Sequence, residues 1–412
     1  MASRRTDLVA SFKVMDVLKK ATEMEAMGRE VLHLEVGQPK TGAPPSAVAA
    51  AQEALSKNLP LGYTEANGLL SLRKRISDYY AEKHGCDVDP SRVVVTTGSS
   101  SGFLLSFAAL WSAGDAVAVP STAYPCYRNV LRALECEPVE IKSAYGDEET
   151  GSRRGFTFPN GNDLAKLNAD RKQEGLSPIK GLVLSSPSNP TGAMLTKTQL
   201  RDLAAACSKE NVRFISDEIY QGITYGDDTG ASAVDIENVV VVNSFSKFFS
   251  MTGWRVAWLV LPKNDPALAD AVTRLHQNLA ICAPAISQVA AEASFDDLET
   301  TLASHVAHYA ENRRIVLQGL AAVGIDIDKH VAPANGAFYV YADLRHYGLT
   351  DSRKFCDRLL RDTGVAIAPG SDFEFDSYQG DRRLRFSYCG DSHTIREAMA
   401  RLKEWWGTDK LE

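Results

Sequence analysis

The chain of 412 residues is predicted to be α/β. Its large domain is expected to carry a mostly parallel seven-stranded sheet covered by helices on both faces, beside a smaller α+β domain formed by the N- and C-terminal parts. Three observations predict it. Between residues 90 and 262, seven short β-rich apolar runs alternate with helical segments. Most of these runs lack polar/apolar alternation, the pattern of strands buried on both faces. After about residue 296 the order changes to a helix, three strands and a closing helix, the signature of a separate α+β layer.

The seven runs are Val93–Val95, Ala116–Val119, Val139–Ile141, Gly181–Leu184, Val212–Ile215, Val239–Val242 and Val256–Val260. Between the fourth and fifth, Thr196 is a plausible N-cap with Gln199 at the capping-box position. Leu200, Leu203, Ala204 and Cys207 then recur on one helical face. Upstream, Val14, Val17, Leu18 and Ala21 mark an amphipathic helix closed by Gly28 and followed by a strand in Val31–Val36. Downstream, strands are expected near Ala337–Tyr341, Val365–Ala368 and Leu384–Tyr388, then a helix over Ile395–Trp406. No Pro/Gly/Ser-rich linker separates the parts, so the division is read as 47–295 for the large domain and 1–46 with 296–412 for the small one with its N-terminal arm.

Composition narrows the function. Charged residues make up 24% and the net charge is -7, with no basic block, so no nucleic-acid partner is expected. The seven cysteines are odd in number and scattered without C-x-x-C spacing, which reads as reduced thiols in a cytoplasmic protein. Two histidines on one helix face, His305 and His308, lack acidic or cysteine partners in register, so no metal site is expected. The N-terminus has no apolar run of secretory type, and no stretch is long and apolar enough to span a membrane.

The chemistry-bearing residues lie just after strands. Ser186-Pro187-Ser188-Asn189-Pro190-Thr191-Gly192 follows the fourth run, Asp217-Glu218-Ile219-Tyr220 the fifth, and Lys247, within Asn243 to Arg255, the sixth. Carboxyl ends of parallel strands line the ligand crevice of an open α/β sheet, so residues about 30 positions apart can converge there. Singly, each has a plainer reading: a proline-rich turn, a helix N-cap at Asp217, a solvated charge at Lys247. Together they suit one ligand. A lysine partly stripped of water loses basicity and becomes a nucleophile toward a carbonyl. Ser244, Ser246 and Arg255 supply phosphate donors. A phosphate-bearing aldehyde fits that set, and pyridoxal 5'-phosphate is the cofactor of that description. Asp217 can keep its pyridine nitrogen protonated, and Asn189 and Tyr220 can donate to its phenolate oxygen. Thr97 to Gly102, read as a loop before a helix over Phe103–Trp111, offers backbone N–H groups to the phosphate.

In the strand Arg383-Leu384-Arg385-Phe386-Ser387-Tyr388, alternation puts Arg383 and Arg385 on one face. The pattern alone does not choose between them.

These motifs make the chain resemble the fold type I, pyridoxal-phosphate-dependent aminotransferases of class I/II, the aspartate aminotransferase-like family, from about residue 30 to the end. Further marks are Gly37-Gln38-Pro39, Gly62-Tyr63-Thr64, Tyr124-Pro125, Gly253-Trp254-Arg255, Gly336-Ala337-Phe338-Tyr339 and Leu384-Arg385-Phe386-Ser387. The resemblance implies an amino group passed from an amino acid to a 2-oxo acid in a ping-pong reaction through pyridoxamine phosphate. Lys247 would form the Schiff base and carry the proton, with Asp217 and Tyr220 as the other catalytic residues. Tyr124 would stack on the pyridine ring. Gly98, Ser99, Ser100, Ser244 and Arg255 would hold the phosphate, joined by Tyr63 of the partner subunit in a homodimer. Arg385 would grip the substrate α-carboxylate, helped by Asn189 and the Gly37 backbone. One departure stands out: the loop before Tyr124 reads Pro120-Ser121-Thr122-Ala123 and lacks the family's second proline and glycine. Two other readings use the same scaffold, a carbon-sulfur β-lyase and a non-enzymatic regulator. The sequence does not name the amino acid.

Overall fold

A computed structural model describes residues 3–143, 156–226 and 230–407. The small sheet takes β1 (Leu32–Leu34) from the N-terminal part. The central sheet follows with β2 (Val93–Thr96), β3 (Ala116–Pro120), β4 (Glu137–Ile141), β5 (Ile179–Ser185), β6 (Arg213–Asp217), β7 (Val239–Ser244) and β8 (Ala257–Val260). Three more strands, β9 (Tyr339–Asp343), β10 (Val365–Pro369) and β11 (Arg383–Ser387), complete the small sheet.

All seven predicted runs become strands, in the order β2-β8-β7-β6-β5-β3-β4. Every pairing within β7-β6-β5-β3-β4 is parallel. β8 runs antiparallel, against β2 and β7. The four-strand sheet has the order β1-β10-β11-β9.

The lack of alternation in the runs has its cause in two apolar cores. Val240 and Val242 of β7 pack with Val117, Val183, Ile215 and Leu259 on one face. Val239 and Val241 pack with Ala118, Leu182, Phe214 and Trp258 on the other. Each buried valine of β7 contributes on the order of 1.5–3 kcal/mol by leaving water, so one strand is held from both sides.

The helix Lys197–Lys209 carries the predicted capping box at Thr196 and Gln199 and buries Leu200, Leu203, Ala204 and Cys207. The N-terminal helix Lys13–Ala26 buries Val14, Val17 and Ala21, and Gly28 follows its end with φ +82°. One expectation is corrected. Gly98 to Gly102 is the opening of the helix Gly98–Leu110, not a loop before a helix at Phe103. Gly98, at φ +75°, turns the chain from β2 into the helix within two residues, which only glycine does without strain. Among the described residues, no helix is long and apolar enough to cross a membrane.

Candidate active site

The carboxyl ends of β5, β6 and β7 lie side by side, with Ser185 paired to Asp217 and Asp217 to Val242. Lys247 follows β7 after a short turn, and its Nζ donates to the Gly37 carbonyl at 2.7 Å. That bond ties the central sheet to the segment after β1. Burial pushes the Lys247 ammonium down to about 8, and the Arg385 and Arg255 guanidinium groups act in the same direction.

Asp217 ends β6, almost wholly buried. Its Oδ1 accepts from the Ile219 amide at 3.1 Å, and its Oδ2 accepts from the Tyr127 phenol. Burial raises the carboxyl to about 7, and these two donors hold it lower than burial alone would. Tyr127 was not among the sequence candidates. It sits three residues after Tyr124 at the start of the helix Pro125–Ala133, a spacing that places both on one side of the first turn. The two rings meet edge to face at 5.7 Å, and Phe12 meets Tyr124 the same way at 5.9 Å. The unusual loop before Tyr124 is secured by tertiary bonds: the Ala123 amide donates to Phe373 O at 2.9 Å and Thr122 Oγ1 to the Glu374 carboxylate at 2.9 Å.

Arg385 is 3% exposed. Its Nη1 donates to Asn189 Oδ1 at 2.9 Å and its Nη2 to Glu35 O, whereas its buried Nε has no partner among the described residues. The guanidinium lies 4.4 Å from the Tyr339 ring centre and 4.5 Å from that of Phe373. Tyr220, fully enclosed, shares a hydrogen bond of 2.8 Å between its phenol and that of Tyr339. Gly37 completes the group, because a Cβ there would lie 1.8 Å from the Tyr339 hydroxyl. Tyr339 belongs to a motif noted in the sequence, yet nothing local singled out its hydroxyl.

Arg383, two positions from Arg385, is neutralised. It pairs with Asp343 at 3.1 Å and Glu374 at 2.8 Å.

A second cluster gathers at the start of the helix Gly98–Leu110. Ser244 Oγ bonds Ser246 Oγ at 3.0 Å and accepts from the Ser246 amide at 3.0 Å. Arg255, with φ +54°, donates from Nη1 to Thr252 O at 2.8 Å, and its Nη2 lies against Gly98. A guanidinium beside the positive end of a helix dipole is electrostatically unfavourable unless an anion joins them. Ser99 is half-buried there, whereas Ser100 is exposed. Tyr63 is 84% exposed and borders a cavity of about 770 Å3 with Thr97, Ser101 and Cys282.

A profile of the family described as aminotransferase class I and II matches residues 29–402. The chain belongs to this family. The aminotransferase is 44% identical over 400 residues to the valine–pyruvate aminotransferase of Mycobacterium tuberculosis, covering 96% of each chain. It is 32% identical over 411 residues to the (5-formylfuran-3-yl)methyl phosphate transaminase of Methanocaldococcus jannaschii, covering 98% of this chain and 99% of the other. A crystal structure of an aminotransferase from Mycobacterium tuberculosis superposes with a TM-score of 0.88 at 42% identity over 98% of both chains. This chain is therefore an enzyme, a transaminase of amino acids, and the fold expected from the sequence is the fold of its relatives.

Proposed function

We propose that the aminotransferase uses pyridoxal 5'-phosphate and transfers the amino group of a neutral aliphatic amino acid to a 2-oxo acid such as pyruvate, in two half-reactions. One observation carries the cofactor reading. Lys247, Arg255 and Arg385 are buried or half-buried cations, and among the described residues none has a carboxylate within ion-pair distance. Buried charge is costly unless paired, so the three call for anionic ligand groups. A phosphate beside Arg255 and the Gly98 helix end, and an α-carboxylate beside the unpartnered Arg385 Nε, answer two of them. An aldehyde that condenses with the Lys247 amine removes the third charge or spreads it over the cofactor.

In this reading Gly98, Ser99, Ser100, Ser244 and Arg255 hold the phosphate, with Tyr63 of the partner subunit. Tyr124 covers one face of the ring. Asp217 holds the proton of the ring nitrogen, and Asn189 and Tyr220 donate to the ring oxygen. When bound, pyridoxal phosphate supplies the electron sink for deprotonation at the substrate α-carbon. Lys247 would anchor the cofactor and then, as a neutral amine, would take the substrate α-proton and hold it for return. Arg385, with Asn189 and the Gly37 backbone, fixes the α-carboxylate so that the α-hydrogen faces Lys247.

The aliphatic substrate is suggested by the valine–pyruvate relative. The arginines on the Tyr124 side support it, since Arg383 is paired and Arg128 is spent on the carbonyls of Asp372 and Glu374, which leaves neither for a distal carboxylate. We assign residues 47–295 to the large cofactor-binding domain and 1–46 with 296–412 to the smaller one. The chain is proposed to act as a cytoplasmic homodimer. In its support, Leu55, Leu59, Tyr63, Leu279 and Ile281 stand exposed, and all seven cysteines are unpaired.

The test is a panel of amino acids offered with pyruvate or 2-oxoglutarate, following the new amino acid and the new oxo acid together. Stoichiometric exchange with valine or alanine is expected, and a Lys247→Ala variant that folds should lose it by several orders of magnitude. Release of ammonia without any acceptor, or full exchange by Lys247→Ala, overturns the proposal.

A further inference from the structure

Tyr339 touches three parts of the site at once. Its phenol bonds the Tyr220 phenol at 2.8 Å, its ring lies 4.4 Å from the Arg385 guanidinium, and its hydroxyl fills the space where any side chain at position 37 would begin. It is 1% exposed and sits first in β9, in register with Ser387 of β11, so the small sheet delivers it. Edge-to-face contacts with Tyr220 at 5.6 Å and Phe338 at 5.1 Å fix its plane.

A phenol has one proton to give and two lone pairs to accept with. If Tyr220 gives its proton to the cofactor's ring oxygen, its own oxygen is left to accept, and Tyr339 is the group beside it. A donor that itself accepts a hydrogen bond is polarised into a stronger donor. The same side chain presents its π face to the arginine that receives the α-carboxylate, and with Phe373 on another side it holds that guanidinium's plane. We propose that Tyr339 is a positioning residue that serves two sites: its hydroxyl strengthens Tyr220 as donor to the cofactor, and its ring orients Arg385 for the substrate carboxylate. This rests on the cofactor reading above.

The two roles separate by substitution. Tyr339→Phe keeps the ring and removes the hydroxyl; Tyr339→Leu removes both. The titratable and charged groups facing the phenol pair are Arg385, Tyr124 and Cys389, and both variants leave them in place. The readouts are the pH titration of the bound cofactor's visible absorbance without substrate, and kcat and KM for the amino acid.

In Tyr339→Phe the absorbance midpoint should move up by at least ~0.3 pH unit, because a weaker Tyr220 donor leaves the ring oxygen more basic. Its KM should stay within about twofold. In Tyr339→Leu the midpoint should move similarly, and KM should rise about tenfold or more as Arg385 loses its support. A Tyr339→Phe midpoint equal to that of the parent refutes the hydroxyl role. Equal KM values in the two variants refute the ring role. If the parent enzyme shows no visible cofactor band at all, the cofactor reading itself fails, an outcome distinct from either.

Discussion

Gly98 and Arg255 are in direct contact: a Cβ on Gly98 would lie 2.1 Å from Nη2 of Arg255. The contact brings a guanidinium to the N-terminus of a helix of 13 residues, where two positive ends reinforce each other's pull on an anion.

It follows that Gly98→Ala should weaken the cofactor, not the substrate. The methyl displaces Arg255, and the φ of +75° strains alanine besides. Affinity of the cofactor-free enzyme for pyridoxal phosphate should fall by about tenfold or more, equivalent to about 1.4 kcal/mol per tenfold. Amino-acid KM at saturating cofactor should change little. Fluorescence titration of the cofactor-free protein measures the first, and an unchanged affinity would contradict the phosphate assignment.

Arg383 and Arg385 should fail in different ways. In Arg385→Lys a compact ammonium replaces the planar fork, so amino-acid KM should rise by at least ~10-fold while stability holds. Arg383→Met leaves Glu374 buried without its cation and should cost about 3–5 kcal/mol in denaturant unfolding. If instead Arg383→Met folds normally and raises KM alone, the roles of the two are exchanged.

The pH dependence of the cofactor-free protein carries a definite sign. Asp217 is raised from 3.8 to about 7, so it binds protons more readily folded than unfolded. Its contribution to stability is present at low pH and lost as pH rises through 7. Lys247 is lowered from 10.5 to about 8, so its contribution is present above 10.5 and lost as pH falls through 8. The two together should leave the cofactor-free protein least stable between about pH 7 and 8. Thermal melting from pH 5 to 10 should show this dip, and Asp217→Asn should abolish its acid side. Tyr127→Phe should extend the acid side upward, because loss of that donor raises the carboxyl further. A flat profile in the parent would refute the assigned burial of both groups.

Much of this architecture is legible in the sequence. Runs such as Val239–Val242 announce a strand covered on both faces, and the motifs at Asn189, Asp217 and Lys247 lie where parallel strands end. The capping box at Thr196 and Gln199 is a local pattern and formed as read. Gly98 to Gly102 reads as a loop because glycine and serine favour turns, whereas a positive-φ glycine starts the helix at once. Tyr127 and Tyr339 carry no mark of a site in the sequence, since a tyrosine on the buried face of a helix or strand gives no local sign of what its hydroxyl meets.

Taken by itself, the sequence determined the two layers, the strands and the chemical inventory, because hydrophobic periodicity and turn chemistry act over neighbouring residues. Which arginine is free was decided only in three dimensions. Arg383 and Arg385 leave one face of β11 with identical local credentials. Register with β9 sets Arg383 opposite Asp343 and Arg385 opposite Tyr341. The first thus meets a carboxylate, joined by Glu374 nine positions upstream, and the second meets aromatic rings, an amide and a backbone carbonyl. Charge compensation is a property of neighbours in space, and of these two arginines it leaves Arg385 without a carboxylate among the described residues.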